Sequence, residues 1–294
     1  MNIAIWTDND LDGAGSAFAL KCLYGDKANI MIREVNDHEF TGVFKGWQEQ
    51  NYYNTDLIFI TDLFVPDDLL PYVDRGKVVV IDHHKSHVDV KSRYKVAKNI
   101  IEECSSCTNL ILEKFKSGLK DKITPEQYAL FRIIDDYDSY QLKFGETLKL
   151  NAVYHSFNKP KVSKFIDAFK DGLREFNTFE QNAIKLYFNR YKEQIDNAEF
   201  FTGDIKGFKV VSCCASAAIN EVAHHALKQY NADIAIIVMP KTQSVSFRKN
   251  KSSCTIHLNK LAELLCNGGG HEYAAGGKIT ENFLNFTKTL TPCI

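Results

Sequence analysis

Short apolar runs alternate with longer stretches of mixed polarity over the first third of the chain. The apolar runs lie at residues 3–7, 31–35, 56–61 and 77–81. The last run contains three consecutive valines and an isoleucine, which is typical of a strand covered on both faces, as in a parallel sheet. Because alternating strands and helices form doubly wound domains, the pattern predicts an α/β domain with a parallel sheet at the amino-terminal end.

The rest of the chain divides into a helical region and a second α/β region. Residues 178–200 are charged and periodic, with no Gly or Pro, which predicts one helix that bridges two halves. Further strands are predicted at residues 208–213, 233–239 and 244–247. We therefore expect a first domain over residues 1–177, a helical linker over 178–204 and a smaller α/β domain over 205–294.

Composition and charge restrict the class of protein. The 294 residues are 45% hydrophobic and 25% charged, which supports one or two globular domains with substantial cores. The net charge is only −1, whereas proteins that bind long nucleic acids through phosphates usually have a clear basic surplus. The charge balance favours a short or small anionic substrate, or a local basic groove that the total conceals.

The chain also lacks the sequence features of secreted and membrane proteins. No apolar run approaches the roughly 20 residues that span a bilayer, and the start, MNIAIWTDND, lacks the basic region of a signal peptide. Eight cysteines in a chain with this much core are typical of reduced thiols. We expect a cytoplasmic protein with no membrane association. The spacing of Cys104 and Cys107 suits zinc, but no second Cys/His pair follows nearby at usable spacing.

Three acidic residues directly follow the first predicted strand. Asp8, Asp10 and Asp12 alternate along extended chain, so their carboxylates would point to one side. Like charges this close repel each other unless a cation offsets them. The spacing also resembles the start of a calcium loop, but an EF-hand would need a Glu where this chain has Ala19. Solvated turn acids are the alternative interpretation.

Two further predicted strands end in candidate metal ligands. Asp62 ends the third strand, and Asp82, His83 and His84 end the fourth. Because ligands collect at the carboxyl ends of parallel strands, we expect these groups at one edge of the sheet. Carboxylates combined with an imidazole suit Mn²⁺, which accepts imidazole more readily than Mg²⁺ does.

Two other segments are candidates for the same chemistry. The acids Asp135, Asp136 and Asp138 follow an apolar stretch, which suggests a helix that enters the core, although such a cluster in isolation is more often a solvated helix face. Near the carboxyl terminus, residues 267–277 read NGGGHEYAAGG, and such glycines let backbone N–H groups approach an anion, with the dipole of a following helix start. Upstream, Arg248 could bind a phosphate through two N–H groups.

This ordered set of motifs resembles the DHH phosphoesterases that carry a DHH-associated (DHHA1) domain, a family that includes RecJ-like exonucleases and nanoRNases. The first domain of that family is matched by Asp8-Asn9-Asp10-Leu11-Asp12-Gly13, Asp62, Asp82-His83-His84 and the Asp136 region. The second domain is matched by Ser246-Phe247-Arg248, Gly268-Gly269-Gly270-His271 and Ala274-Ala275-Gly276-Gly277. The resemblance spans essentially the whole chain and implies two α/β domains with an intervening cleft.

The resemblance also implies a site for two Mn²⁺ ions, or Mg²⁺. One ion would be bound by Asp10 and Asp62 and the other by Asp12, His83 and Asp136, with Asp62 as the bridge. Many relatives have an additional histidine in the first motif; Asp8 stands where it often lies and is expected as a ligand. Asp82 and His84 would be catalytic, with His84 near the scissile phosphate. The residues that bind the substrate would be Arg248, Gly268, Gly269, Gly270 and His271.

The function implied is a metal-dependent phosphodiesterase or exonuclease that hydrolyses short oligonucleotides to mononucleotides. A full RecJ-like exonuclease needs further nucleic-acid-binding domains, for which this chain has no room. The alternative substrate is a small nucleotide, either a cyclic dinucleotide or a 3′,5′-bisphosphorylated adenosine. A binding module with a decayed centre is the third possibility, but binding alone would not need so many converging carboxylates. A homodimer is expected from the resemblance only.

Overall fold

The fold described here comes from a computed structural model, which describes residues 1–250, 253–270 and 272–293. The chain divides into two compact units, residues Met1–Ile184 and Lys185–Ile294. Helix α10 (Thr178–Asp196) crosses this division. The domain bounds predicted from the sequence, and the cleft between the domains, stay predictions.

The first unit is built on a five-stranded sheet. Its strands are β1 (Asn2–Asp8), β2 (Asn29–Val35), β3 (Leu57–Thr61), β4 (Val78–Asp82) and β5 (Lys98–Ile101). They pair in parallel in the order β2-β1-β3-β4-β5. The predicted parallel sheet is confirmed. The short strand β5, whose sequence Lys-Asn-Ile-Ile has mixed polarity, was not predicted.

Helices cover both faces of this sheet. They are α1 (Leu11–Tyr24), α2 (Asp37–Asn51), α3 (Leu70–Val73), α4 (Lys85–Val88), α5 (Cys107–Lys114), α6 (Lys116–Leu119), α7 (Pro125–Asp138), α8 (Thr147–Ser156) and α9 (Lys161–Ala168). Ile3 and Ile5 of β1 pack into a core with α1, α5 and α7, whereas Ala4 and Trp6 pack into a second core with α2. Alternate residues of one strand are therefore buried on opposite faces, as a doubly wound sheet requires.

The second unit contains a seven-stranded mixed sheet. Its elements are β6 (Phe201–Ile205), β7 (Phe208–Cys214), α11 (Ile219–Gln229), β8 (Ile234–Met239), β9 (Ser244–Lys249), α12 (Leu258–Cys266), β10 (Gly269–Gly270), β11 (Ala274–Lys278), α13 (Glu281–Thr287) and β12 (Thr291–Pro292). The strand order is β10-β11-β9-β8-β7-β6-β12, and among the described strands of this second sheet only β7 and β8 pair in parallel. The smaller α/β region is confirmed.

The glycine-rich segment differs from its expected conformation. Gly269–Gly270 forms a short strand against β11, and a strand rather than a helix follows. A Cβ atom on Gly268 would lie 1.9 Å from the carbonyl oxygen of Gly276, so close backbone packing accounts for this glycine. The expected helix start after the glycines was therefore wrong.

None of the helices in the described ranges is long and apolar enough to cross a membrane.

Candidate metal centre

The register of the first sheet aligns three acidic residues. Thr7 pairs with Thr61, and Thr61 pairs with Ile81. The next residues in these strands are Asp8, Asp62 and Asp82, so the three acids form one row at the carboxyl edge of the sheet. The expected common edge is therefore observed.

The turn after β1 places Asp10 and Asp12 at the start of α1. Asp10 is the N-cap residue, and its Oδ1 accepts a hydrogen bond from the Gly13 N–H at 2.8 Å. Asp12 is buried, and its two carboxylate oxygens accept the Cys107 and Thr108 N–H groups at 2.7 and 2.9 Å. The amino-terminal end of α5 thus binds Asp12 as helix ends bind anions.

Asp62 is buried, and one of its carboxylate oxygens lacks a hydrogen-bond partner among the described residues. Its φ angle is 57°, which costs a residue other than glycine about 1–3 kcal/mol. Its Oδ1 is buried and has no hydrogen-bond partner among the described residues. Burial and the neighbouring Asp12 and Asp10 raise the pKa of Asp62 well above its ordinary value. A cation would compensate for both the burial and the missing hydrogen bonds.

His83 presents one ring nitrogen to a group of carboxylates. Its Nδ1 lies 3.2 Å from the Cys104 carbonyl oxygen, which can only accept, so Nδ1 carries the proton and Nε2 is the coordinating nitrogen. Nε2 lies 3.4 Å from Asp62 Oδ1, 3.5 Å from Asp138 Oδ2 and 3.7 Å from Asp12 Oδ2. Metal–ligand bonds of about 2.1 Å would separate neighbouring ligand atoms by roughly 3.0–3.4 Å. The residues present therefore fit a divalent ion.

The charges of this group depend on one another. Burial and Asp12 raise the pKa of Asp138 to about 8. Burial opposes the charged form of His83, but Asp138 and Asp12 outweigh it and raise the pKa of His83 to about 9. Burial and Asp12 also raise the pKa of Asp10. Two sets of residues each bring their ligand atoms within 4.8 Å of one another. The first set is Asp62, Asp82, His83 and His84, and the second is Asp12, His83 and Asp138.

Asp82 has the opposite surroundings from Asp62. Its Oδ1 accepts the N–H groups of His83 and His84 at 2.7 and 3.2 Å, and lies 2.7 Å from His84 Nδ1. Its Oδ2 lies 2.5 Å from His87 Nδ1. Burial opposes ionisation, but His84 and His87 hold the pKa of Asp82 well below its ordinary value. Burial likewise opposes a charged His84, but Asp82 outweighs it and raises the pKa of His84.

Asp136, an expected ligand, lies among hydrogen-bond donors of the protein in this structure. Its carboxylate accepts the N–H groups of Lys143 and Phe144 at 3.0 and 3.3 Å and the Thr147 hydroxyl at 2.5 Å. These bonds connect the end of α7 to the loop before α8, and Asp136 is absent from both sets of converging ligand atoms. Asp135 accepts the hydroxyls of Ser105 and Ser106 instead. Among the three acids of this motif, Asp138 is the one that lies against His83.

Asp8 and Asp10 lie at the same edge but outside both sets of ligand atoms. Asp8 Oδ1 accepts the Asn9 N–H at 2.7 Å. His87 and Tyr94 were not predicted from the sequence, because a histidine three residues after His84 is not distinctive in isolation.

In the second unit, neutral side chains hold Arg248. Its Nε and Nη2 donate to Asn220 Oδ1 at 3.0 and 2.5 Å, and Nη1 donates to Ser246 Oγ at 2.9 Å. Residue Ala274 of β11 pairs with Arg248, and Gly270 pairs with Ala275, so the glycine-rich strand is two strands away from Arg248 in the same sheet. His271 lies outside the described residues.

Two stretches of the chain match known domain families. Residues 2–134 match the DHH family, N-terminal domain, and residues 208–294 match the DHHA1 domain. The chain belongs to the DHH family. The acids at the carboxyl edge of β1, β3 and β4 lie in the DHH domain, and Arg248 lies in the DHHA1 domain.

Individual relatives of this DHH protein match it over shorter stretches or at low identity. Oligoribonuclease NrnB of Bacillus subtilis is 33% identical over 87 residues, which are 28% of this chain and 22% of that protein. An endoplasmin homolog of Dictyostelium discoideum is 28% identical over 152 residues, 51% of this chain and 18% of that protein. The chain thus spans about a fifth of the length of these curated relatives.

A solved structure supports the fold over almost the whole chain. RecJ of Thermus thermophilus in complex with Mn²⁺ aligns with a TM-score of 0.59 at 14% identity, over 98% of this chain and 51% of that one. The two chains therefore share the DHH–DHHA1 fold.

Proposed function

We propose that this DHH protein is a divalent-metal-dependent phosphodiesterase that hydrolyses short oligonucleotides to mononucleotides. The observation that carries the proposal is the contrast at Asp62: a buried carboxylate oxygen has no hydrogen-bond partner among the described residues, yet lies 3.4 Å from His83 Nε2. This arrangement is costly without a cation and favourable with one.

The proposed ligands of the metal site follow from these contacts. Asp12, Asp62, His83 and Asp138 converge, and Asp8 and Asp10 supply further carboxylates at the same edge for a second ion. Asp138 takes the place that we expected for Asp136. Two Mn²⁺ ions, or Mg²⁺, would supply positive charge that activates water and stabilises charge on the phosphate.

His84 and Asp82 are proposed to handle a proton. The Asp82 carboxylate holds His84 Nδ1 at 2.7 Å and stabilises the charged imidazole. A proton passed to the leaving oxygen would therefore come from His84 Nε2, as from an oriented general acid. The His84 side chain is 31% exposed, so a substrate can reach it.

The substrate proposal rests on charge and on one relative. The residues proposed to bind phosphates are Arg248, the glycines 268–270 and His271. Asn220 and Ser246 fix the Arg248 guanidinium in one orientation, which suits it to this role. The net charge of −1 favours a short substrate. The name of the Bacillus subtilis relative, an oligoribonuclease, supports RNA. The cytoplasmic location, the homodimer and the domain bounds 1–177, 178–204 and 205–294 remain proposals from the sequence.

A substrate panel tests this function. Hydrolysis of labelled RNA and DNA, from dinucleotides to long oligomers, would be compared with cyclic dinucleotides and bisphosphorylated adenosine, with Mn²⁺, Mg²⁺ or EDTA. We expect the fastest metal-dependent turnover with the shortest linear RNA. Asp62→Asn should be inactive, whereas the matched control Asp167→Asn, at a side chain 78% exposed, should be active. Selective cleavage of a cyclic or bisphosphorylated nucleotide would replace the oligonucleotide proposal, and no turnover of any substrate would refute it.

A further inference from the structure

A second histidine lies behind the Asp82–His84 pair. His87, in the short helix α4, is fully buried. Both of its ring nitrogens are engaged: Nδ1 lies 2.5 Å from Asp82 Oδ2, and Nε2 lies 2.7 Å from the Tyr94 hydroxyl. His87 and Tyr94, unlike Asp82 and His84, do not belong to the proposed catalytic and metal-binding set.

The directions of these hydrogen bonds follow from the chemistry of the partners. Asp82 Oδ1 accepts two backbone N–H groups, as a carboxylate oxygen does, so Oδ2 is also an acceptor and His87 Nδ1 donates to it. Nε2 of His87 faces the Tyr94 hydroxyl, and burial raises the pKa of Tyr94 to about 12, so the phenol keeps its proton. Hydrogen bonds therefore connect Tyr94, His87, Asp82 and His84 in that order.

The surrounding side chains hold this arrangement in place. The Phe64 ring packs at 5.1 Å from the His87 ring. The Arg93 guanidinium lies over both Phe64 and Tyr94, at 5.2 and 5.4 Å from the ring centroids. Arg93 also donates to the Val65 carbonyl and to Asp67. Tyr94 is only 7% exposed, so its hydroxyl has little access to water as an alternative partner.

We propose that His87 and Tyr94 are positioning residues that fix the Asp82 carboxylate and, through it, the orientation of His84. This inference rests on the proposed function. Three N–H groups approach Asp82 Oδ1, whereas Oδ2 has one protein partner among the described residues, His87. Without His87 the buried Oδ2 would lose that donor, and the carboxylate could rotate away from His84.

Three variants separate the parts of this arrangement. His87→Leu removes both polar contacts, His87→Asn keeps an N–H near the position of Nδ1, and Tyr94→Phe removes only the hydroxyl. We expect kcat to fall about 10- to 100-fold in His87→Leu, as for other partners of active-site ligands. His87→Asn should recover most of that loss, and Tyr94→Phe should lose only a few-fold. KM for a dinucleotide and the calorimetric Kd for Mn²⁺ should change little, because none of the three substitutions changes a proposed substrate-binding residue or one of the converging ligands.

A spectroscopic readout keeps the test independent of turnover. In the metal-free protein at fixed pH, the ¹⁵N shifts of the His84 ring report whether Nδ1 still donates to Asp82. We expect these shifts to move in His87→Leu and to return toward wild type in His87→Asn. Unchanged His84 shifts, or equal loss of kcat in His87→Asn and His87→Leu together with weaker Mn²⁺ binding, would overturn the inference. If the wild type hydrolyses nothing, the proposed function fails, and the ¹⁵N shifts decide the positioning role without it.

Discussion

Two aspartates at the ends of the neighbouring strands β3 and β4 lie in very different surroundings. Asp62 and Asp82 follow residues that pair directly, Thr61 and Ile81, and both carboxylates are buried. Asp82 is surrounded by donors and has a lowered pKa, whereas Asp62 has a buried oxygen without a partner in the described chain and a raised pKa. The protein itself supplies the hydrogen-bond donors that Asp82 needs, whereas Asp62 needs a cation that the protein does not supply.

This difference is the basis on which we propose some of these acids as metal ligands and others as supporting residues. The end of α7 repeats the contrast, since Asp136 accepts three hydrogen bonds and Asp138 lies 3.5 Å from His83 Nε2. Position in a motif does not distinguish these acids, but the donors around them do.

Asp62→Asn should have the largest effect on activity. The amide cannot replace an anionic ligand, so we expect turnover to fall by at least about 100-fold, with a matching loss of Mn²⁺ affinity. The metal-free variant should be no less stable than wild type at neutral pH, because the substitution removes a buried acid with an unfavourable charge. Calorimetric metal titration and thermal unfolding in EDTA measure both effects. Retained Mn²⁺ binding would remove Asp62 from the ligand set.

Asp82→Asn should lose activity for a different reason. The change breaks a buried, hydrogen-bonded charge pair, which typically costs about 3–5 kcal/mol of unfolding free energy. We expect turnover to fall by about 100-fold because His84 loses its partner, whereas Mn²⁺ binding to the folded variant should persist. Denaturant unfolding and metal titration of the same preparation check this. A stable variant that binds no Mn²⁺ would make Asp82 a ligand and remove the contrast with Asp62.

Asp138→Asn and Asp136→Asn form a matched pair two residues apart. Asp138→Asn should weaken Mn²⁺ binding by about 10- to 100-fold with little change in stability. Asp136→Asn should instead cost about 2–3 kcal/mol of stability, because hydrogen bonds to a buried charge are lost between α7 and the loop before α8. Metal titration beside urea unfolding separates the two. The reverse pattern would restore Asp136 as the ligand expected from the sequence.

The fold and the edge that holds the site were predictable because both depend on local patterns. Continuous β-branched runs identify buried parallel strands, and acids directly after them must lie at the carboxyl edge. The choice among Asp135, Asp136 and Asp138 was not predictable, because it depends on donors distant in the sequence, such as Ser106 and Thr147. The contact of His87 with Tyr94 likewise depends on how the loop after α4 folds back.

The smallest predicted effect is a pH dependence of stability in the metal-free protein. A histidine with a raised pKa stabilises the fold below its unfolded value near 6.5, and for His83 this stability is lost as the pH rises through about 9. Asp138 acts in the same direction, because its pKa rises from 3.8 to about 8 and the folded state resists losing that proton.

We therefore expect Tm in EDTA to fall by a few degrees between about pH 6.5 and pH 9. With excess Mn²⁺ the fall should disappear or reverse, because ions replace protons and bind deprotonated ligands best. Asp138→Asn should flatten the slope in EDTA, whereas Asp167→Asn should leave it unchanged. A wild-type Tm that rises with pH in EDTA would show that repulsion among the carboxylates around His83 does not destabilise the fold.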